Sequence, residues 1–281
     1  MALASSARAA ADLLPAICLE RLPELDAVAP IDAAELLAGW PGLALLESAR
    51  PGRRSRWTFL SADPVAVVTR PAPGDDVFAE ARHLLQRLDD GRAEDGGRDR
   101  AAEPPFLGGL VGFLGYDLGL VLEPRAELVP NDQDLPLLRL ALHDWVIAWD
   151  RRASQAWLGG RAFDGDRRHL AERLATVRQR LATRPRPSDP RRAIAPDREL
   201  VFDSSLDRPA YEAGVGAIRR AIRDGEIYQA NLARRLSTSF EGDPWPLYRA
   251  LRTGDPALFA AYLDLGPGTR GARSGVARAI A

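Results

Sequence analysis

Apolar and polar positions repeat along this chain in two periods, and each period predicts its own elements. Trp57–Ser61 and Val65–Thr69 alternate with period two and read as strands, broken at Asp63-Pro64. Leu43–Ser48 is a compact apolar run closed by Glu47-Ser48, read as a buried strand. Residues 15–30 read as a short strand and turn, and Ile31–Gly39 as a short helix with Asp32 as N-cap. Asp76–Leu88 has helical spacing through Val77, Phe78, Leu84, Leu85 and Leu88. Leu137–Asp150 is strand-forming, with Trp145, Val146, Ile147 and Trp149 packed together, and Gln155–Leu158 is its hairpin partner across Asp150–Ser154. Asp166–Thr183 is helical, with Leu170, Leu174, Val177 and Leu181 on one face.

Beyond residue 200, Asp207 caps a helix that begins near Arg208-Pro209, turns Tyr211, Val215, Ile218 and Ile222 inward and ends at Gly225. Ile227–Phe240 contains an alternating strand pattern. Asp243-Pro244 opens a helix through Leu251, and Ala257–Leu265 is the next strand. Strands and helices without regular βαβ alternation indicate an α+β fold. Asp89–Glu103 is charged and reads as an exposed loop. Thr183–Arg198, rich in Pro and Arg, is the best domain boundary. The predicted organisation is an N-terminal domain over 1–184, a linker over 185–204 and a second, incomplete domain over 205–281.

Phe106–Asp117, FLGGLVGFLGYD, sets four glycines among large apolar side chains. It lacks the Gly-Lys-Ser/Thr of a phosphate loop and the spacing of a dinucleotide fingerprint. A bent or closely packed strand is the reading that remains.

Composition narrows the function classes. The 281 residues are 46% apolar and 27% charged, with a net charge of −1, so no charge excess points to nucleic acid or a membrane surface. All 38 basic residues are arginine, so no reaction that needs a lysine amine can be run by this chain. The single cysteine, Cys18, excludes an intrachain disulfide and fits a cytoplasmic protein. No signal peptide and no apolar stretch of bilayer length is read. His83, His143 and His169 are scattered without metal spacing, no metal ligands are assigned, and no nucleophile elbow is present. The residues alone therefore name no catalytic residue.

Three segments in order carry a resemblance. LALLESARPGRRSRWTFLSADP (43–64), PFLGGLVGFLGYDLG (105–119) and AIRRAIRDGEIYQANLARRLSTSF (217–240) resemble the chorismate-utilising synthases, anthranilate synthase component I and aminodeoxychorismate synthase component I. Tyr116-Asp117-Leu118-Gly119, His143-Asp144-Trp145-Val146 and Tyr228-Gln229-Ala230-Asn231-Leu232 are similar to the aminodeoxychorismate branch. The resemblance implies a two-layer sheet fold with flanking helices. It also implies amination of chorismate at C4, with ammonia from a glutaminase partner and with Mg2+ on the substrate, giving a folate precursor. The family's Ser-Pro-Glu-Arg and Pro-Ile-Lys-Gly-Thr segments and its acidic magnesium ligands have no counterpart here, so the expectation is a truncated chain that binds no Mg2+ and is inactive alone.

The likeness fades after Leu265. A shift of one nucleotide in a suitable coding of VARAIA would restore Ser-Pro-Glu-Arg, which suggests a frameshift; the alternative is a natural short homologue with an unrelated tail. The strand near 258–265 is then expected to lack its next neighbour. In the anthranilate branch, tryptophan binds between the LLES strand and a later segment. Glu47 and Ser48 match the first part, and Leu258, Phe259 and Ala260 fall at the second, without its Pro and Met. The alternatives are an anthranilate synthase component I and a non-catalytic module that binds the glutaminase subunit or tryptophan.

Overall fold

The structure, a computed structural model, describes residues 14–72, 74, 76–88, 102–123, 135–183, 201–240 and 243–266, and the backbone of 278–280. The described residues fall into two compact units, one within Met1–Pro190 and Pro244–Ala281, the other within Arg191–Asp243. The loop expected at Asp89–Glu103 and the linker expected over 185–204 lie largely outside the described residues.

In the first unit the strands are β1 (Ile17–Arg21), β2 (Ala44–Glu47), β3 (Trp57–Ser61), β4 (Ala66–Val68), β5 (Gly109–Leu114), β6 (Leu138–His143), β7 (Trp145–Asp150) and β8 (Gln155–Arg161). Its first helices are α1 (Pro30–Leu36), α2 (Ala79–Arg87), α3 (Leu118–Leu122) and α4 (Arg167–Leu181). The second unit contributes β9 (Asp203–Ser204), α5 (Arg208–Arg223) and β10 (Leu236–Ser237). The chain then returns to the first unit with α6 (Pro244–Gly254), β11 (Ala260–Asp264) and β12 (Arg278–Ile280).

Seven strands form the main sheet in the order β1-β8-β7-β3-β2-β11-β12, and β4-β6-β5 form a second, smaller sheet. The alternation of the apolar strands decides the layers, because successive side chains point to opposite faces. In β2, Leu45 joins the large core under the helices, while Ala44 and Leu46 join the core beside Val111 and Phe113 of β5. In β11, Tyr262 turns to the helix side and Ala261 and Leu263 to the β5 side. Helices therefore cover one face of the main sheet and the small sheet covers part of the other, as the α+β, two-layer expectation holds.

Leu137–Asp150, read from the sequence as one strand-forming run, is two strands in different sheets. It breaks at Asp144, between β6 in the small sheet and β7 in the main one. The Asp144 carbonyl accepts from Arg161 N at 2.8 Å, and its buried carboxylate pairs with Arg173 of α4 at 2.9 Å. Room for this crossing comes from glycine. Gly108 has φ +137°, and a Cβ there would lie 2.9 Å from the His143 carbonyl oxygen. The glycine-rich segment is thus the closely packed strand its sequence suggests.

Several local expectations need correction. Asp32 does not cap α1. Pro30 occupies its first turn and Ala29 its N-cap, so Asp32 stands inside the helix and pairs with Arg249 instead. Asp207 does cap α5, accepting from Ala210 N at 2.8 Å, but no residue of that helix is buried. Tyr211 and Ile222, expected to point inward, are exposed. Beside α5 the described part of the second unit has only the two-residue ladder β9–β10, too little to cover an apolar face. Of the strand pattern expected over Ile227–Phe240, only Leu236–Ser237 is a strand.

The expected second domain over 205–281 is divided. Residues 244–266 join the first unit because β11 pairs with β2. The outer side of β11 is not left unpaired either, since β12 lies antiparallel to it in the register Leu263↔Ala279. The rest of the tail that prompted the frameshift expectation lies outside the described residues.

Candidate functional site

The sequence placed Glu47 and Ser48 at one side of a site and Leu258–Ala260 at the other. The fold brings those segments together by strand pairing, with Ala260 directly opposite Glu47 and Ala261 opposite Leu46. Because β2 and β11 are hydrogen-bonded neighbours, a ligand cannot lie between them in the sheet and must sit on one of its faces.

On the helix face, Glu47 is already engaged. It is 4% exposed, and its carboxylate accepts from the Tyr248 hydroxyl at 2.7 Å and from Arg252 Nε at 2.7 Å. Tyr248 and Arg252 are four residues apart on α6, which puts both on the same helix face. Burial, followed by the neighbouring Glu47 charge, pushes the Tyr248 hydroxyl pKa far upward, so it stays a donor. Tyr248 packs with Trp245 and Tyr262, at centroid distances of 5.9 Å and 5.3 Å, and Trp245 meets Tyr262 edge-on at 4.8 Å. Arg249, one turn along, pairs with Glu35 at 2.6 Å and Asp32 at 3.2 Å on α1. A cavity of about 290 Å³ lies beside these pairs, lined by Ile31, Arg249, Ala250, Arg252, Thr253 and Gly254.

Ser48, the next residue, is 4% exposed. Its carbonyl accepts from Arg151 Nη1 at 2.6 Å, while its hydroxyl has no hydrogen-bond partner among the described residues. Leu258 approaches the turn after Ser48, where a Cβ on Gly52 would lie 3.4 Å from Leu258 Cδ2. Phe259 is 67% exposed and does not join Glu47. Tyr248 and Arg252, the residues that hold Glu47, were not read from the sequence. Their i, i+4 spacing was visible, but the acid they share was not.

The other polar centre is buried at the crossing between the sheets. His143 Nδ1 lies 2.9 Å from Ser61 Oγ, which also reaches the Trp145 carbonyl at 2.7 Å. Desolvation, with the charges of Arg139 and Arg173, lowers the His143 pKa to about 4, although a contact to the Ala62 carbonyl opposes this. Both side chains are buried, at 3% and 1% exposure, and the partners of this Ser–His pair are those of a folding element. His83 and His169 lie elsewhere, on α2 and α4. No group of three or more His, Cys, Asp or Glu among the described residues is arranged to hold a metal, so no donor set for Mg2+ is assigned. No described helix is long and apolar enough to cross a membrane.

Residues 44–272 match the family described as chorismate binding enzyme. Among proteins of similar sequence is the aminodeoxychorismate synthase component 1 of Bacillus subtilis, 26% identical over 226 residues, which cover 78% of this chain and 47% of that protein. The anthranilate synthase component 1 of Thermus thermophilus is 34% identical over 235 residues, covering 79% and 47%. The anthranilate synthase component I of Streptococcus pneumoniae has a similar fold, with a TM-score of 0.54 at 20% identity over 78% of this chain and 52% of that one. The chain belongs to the chorismate binding enzyme family. It spans about half the length of the curated relatives it matches.

Proposed function

We propose that the chain is a component I segment of an aminodeoxychorismate synthase. The parent reaction would replace the C4 hydroxyl of chorismate by ammonia delivered from a glutaminase subunit, toward para-aminobenzoate and folate in the cytoplasm. The observation that carries this reading is the family match over residues 44–272, taken with the Tyr116–Gly119 and Tyr228–Leu232 motifs. Alone, the chain does not turn over chorismate, because the family's nucleophile is a lysine amine and the sequence has none. Mg2+ would supply charge neutralisation at the substrate carboxylate, and no described residue is given that role.

A second reading, anthranilate synthase component I, is favoured by the 34% identity to the Thermus thermophilus protein. One experiment separates them. The chain is mixed with chorismate, ammonium and Mg2+, alone and as a full-length protein extended by the downstream half that its own gene encodes in the shifted frame. The expected outcome is no product alone and 4-amino-4-deoxychorismate from the full-length protein. Anthranilate as the product would overturn the assignment, and turnover by the chain alone would overturn its inactivity.

The sheet around Ser48 and Leu258–Ala260 is the proposed effector site, for tryptophan or a similar amino acid. The uncommitted Ser48 hydroxyl is its polar contact, and Glu47, held by Tyr248 and Arg252, is its buried anchor.

A further inference from the structure

At the end of the main sheet where β2 turns into β3 and β7 turns into β8, the chain gathers arginine. Residues 48–56 contribute Arg50, Arg53, Arg54 and Arg56, and the adjoining turn adds Arg151 and Arg152. The two turns are neighbours because Trp57 pairs with Asp150 and Arg151 N donates to the Arg56 carbonyl at 2.8 Å. The segment entering β11 closes the group, with Arg50 N donating to the Ala257 carbonyl at 2.9 Å.

One of these charges is neutralised. Arg56 pairs with Asp150 at 2.7 Å and lies over the Trp57 ring at 4.8 Å. Arg50, Arg53, Arg54, Arg151 and Arg152 are exposed and have no ion-pair partner among the described residues. Asp255 is the remaining acid on the adjoining segment. Two of the five are nevertheless held in place. Arg151 Nη1 donates to the Ser48 carbonyl at 2.6 Å, and Arg152 Nη2 to the Arg53 carbonyl at 2.7 Å. A backbone carbonyl orients a guanidinium without cancelling its charge, and an oriented planar fork loses less entropy on meeting a carboxylate.

We propose that this arginine rim is a docking surface for an acidic segment of a partner protein, with paired carboxylates on the forks and an apolar side chain against Phe259. Phe259, 67% exposed, lies two residues from Ala257 at the edge of the rim. Nucleic acid fits less well. The rim is a pair of turn tips rather than a stripe along a groove, and the net charge of −1 leaves the rest of the surface without attraction for a long polyanion.

The test is fluorescence anisotropy of the intact chain with a labelled Glu-rich peptide containing one Phe, with an oligothymidylate as the competing polyanion. Binding should weaken about tenfold between about 0.05 M and about 0.2 M salt. The double variant Arg53→Glu, Arg54→Glu should lose at least about tenfold with unchanged circular dichroism, since those side chains make no hydrogen bond or ion pair among the described residues. Arg152→Lys, which keeps the charge and loses the fork, should fall between the two. Equal peptide binding by wild type and double variant, or tighter binding of oligothymidylate than of peptide, overturns the proposal.

Discussion

Tyr248 donates its phenolic hydrogen to Glu47 Oε1 across 2.7 Å, although 201 residues separate the two in sequence. The bond ties α6 to β2 and closes the chain's return to its first sheet. Arg252 occupies the same carboxylate, so Glu47 is a buried charge with a cation and a neutral donor. Such a group stabilises only while its partners remain.

Removing the partners in turn should therefore give unequal losses. Tyr248→Phe keeps the ring and the Arg252 pair and should cost about 1–2 kcal/mol. Arg252→Ala leaves a buried carboxylate with one neutral donor and should cost about 3 kcal/mol or more. Urea unfolding of both variants measures this, and equal losses would show that the ion pair contributes nothing beyond the hydrogen bond.

Acid should weaken the fold through His143. Burial lowers its pKa from 6.5 to about 4, with Arg139 and Arg173 acting in the same direction and Asp63 and the Ala62 carbonyl opposing. Below pH 6.5 the unfolded chain takes up a proton that the folded protein refuses. The contribution is full above 6.5 and lost as pH falls toward about 4, by about 3 kcal/mol in all. Urea midpoints measured across that window should decline, and His143→Gln should flatten the slope by up to one proton. An unchanged slope in the variant would assign the acid sensitivity to other groups.

Two glycines should respond oppositely to alanine. A Cβ on Gly112 would lie 1.8 Å from the Arg139 carbonyl oxygen in the neighbouring strand β6, and backbone cannot give way there. Gly112→Ala should cost about 3 kcal/mol or prevent folding. A Cβ on Gly119, inside α3, meets nothing within 4 Å. Gly119→Ala should be neutral or stabilise by about 0.5–1 kcal/mol. Thermal melts of the pair test both, and a harmless Gly112→Ala would mean that the β5–β6 ladder is looser than its register shows.

If the Ser48 hydroxyl holds an amino-acid effector, Ser48→Ala should weaken tryptophan binding about tenfold while leaving the melting temperature nearly unchanged, because that hydroxyl bonds nothing among the described residues. Isothermal titration checks it. Equal affinity in the variant, or no tryptophan binding by the wild type, removes Ser48 from the site.

Much of the architecture is legible in the sequence alone. Leu170, Leu174, Val177 and Leu181 form the buried face of α4 as their spacing requires, and β3, β4 and the β7–β8 hairpin stand where alternation put them. The LLES run and the strand before Leu265 were both recognised, and their segments do meet. Less was legible at Glu47. Its position at a strand end was plain, but its two partners come from a helix that the sequence carries only through Leu251, with nothing to say which face meets Glu47.

The sequence by itself determined most element types, the family and the absence of a lysine nucleophile, because periodicity, motif and composition are local properties of the chain. Tertiary structure decided that Leu137–Asp150 divides between two sheets, that β11 joins β2 rather than founding a second domain, and that Glu47 is shared by Tyr248 and Arg252. Alternation says which face of a strand is apolar. Which strand lies beside it depends on burial and hydrogen bonding summed over residues distant in sequence.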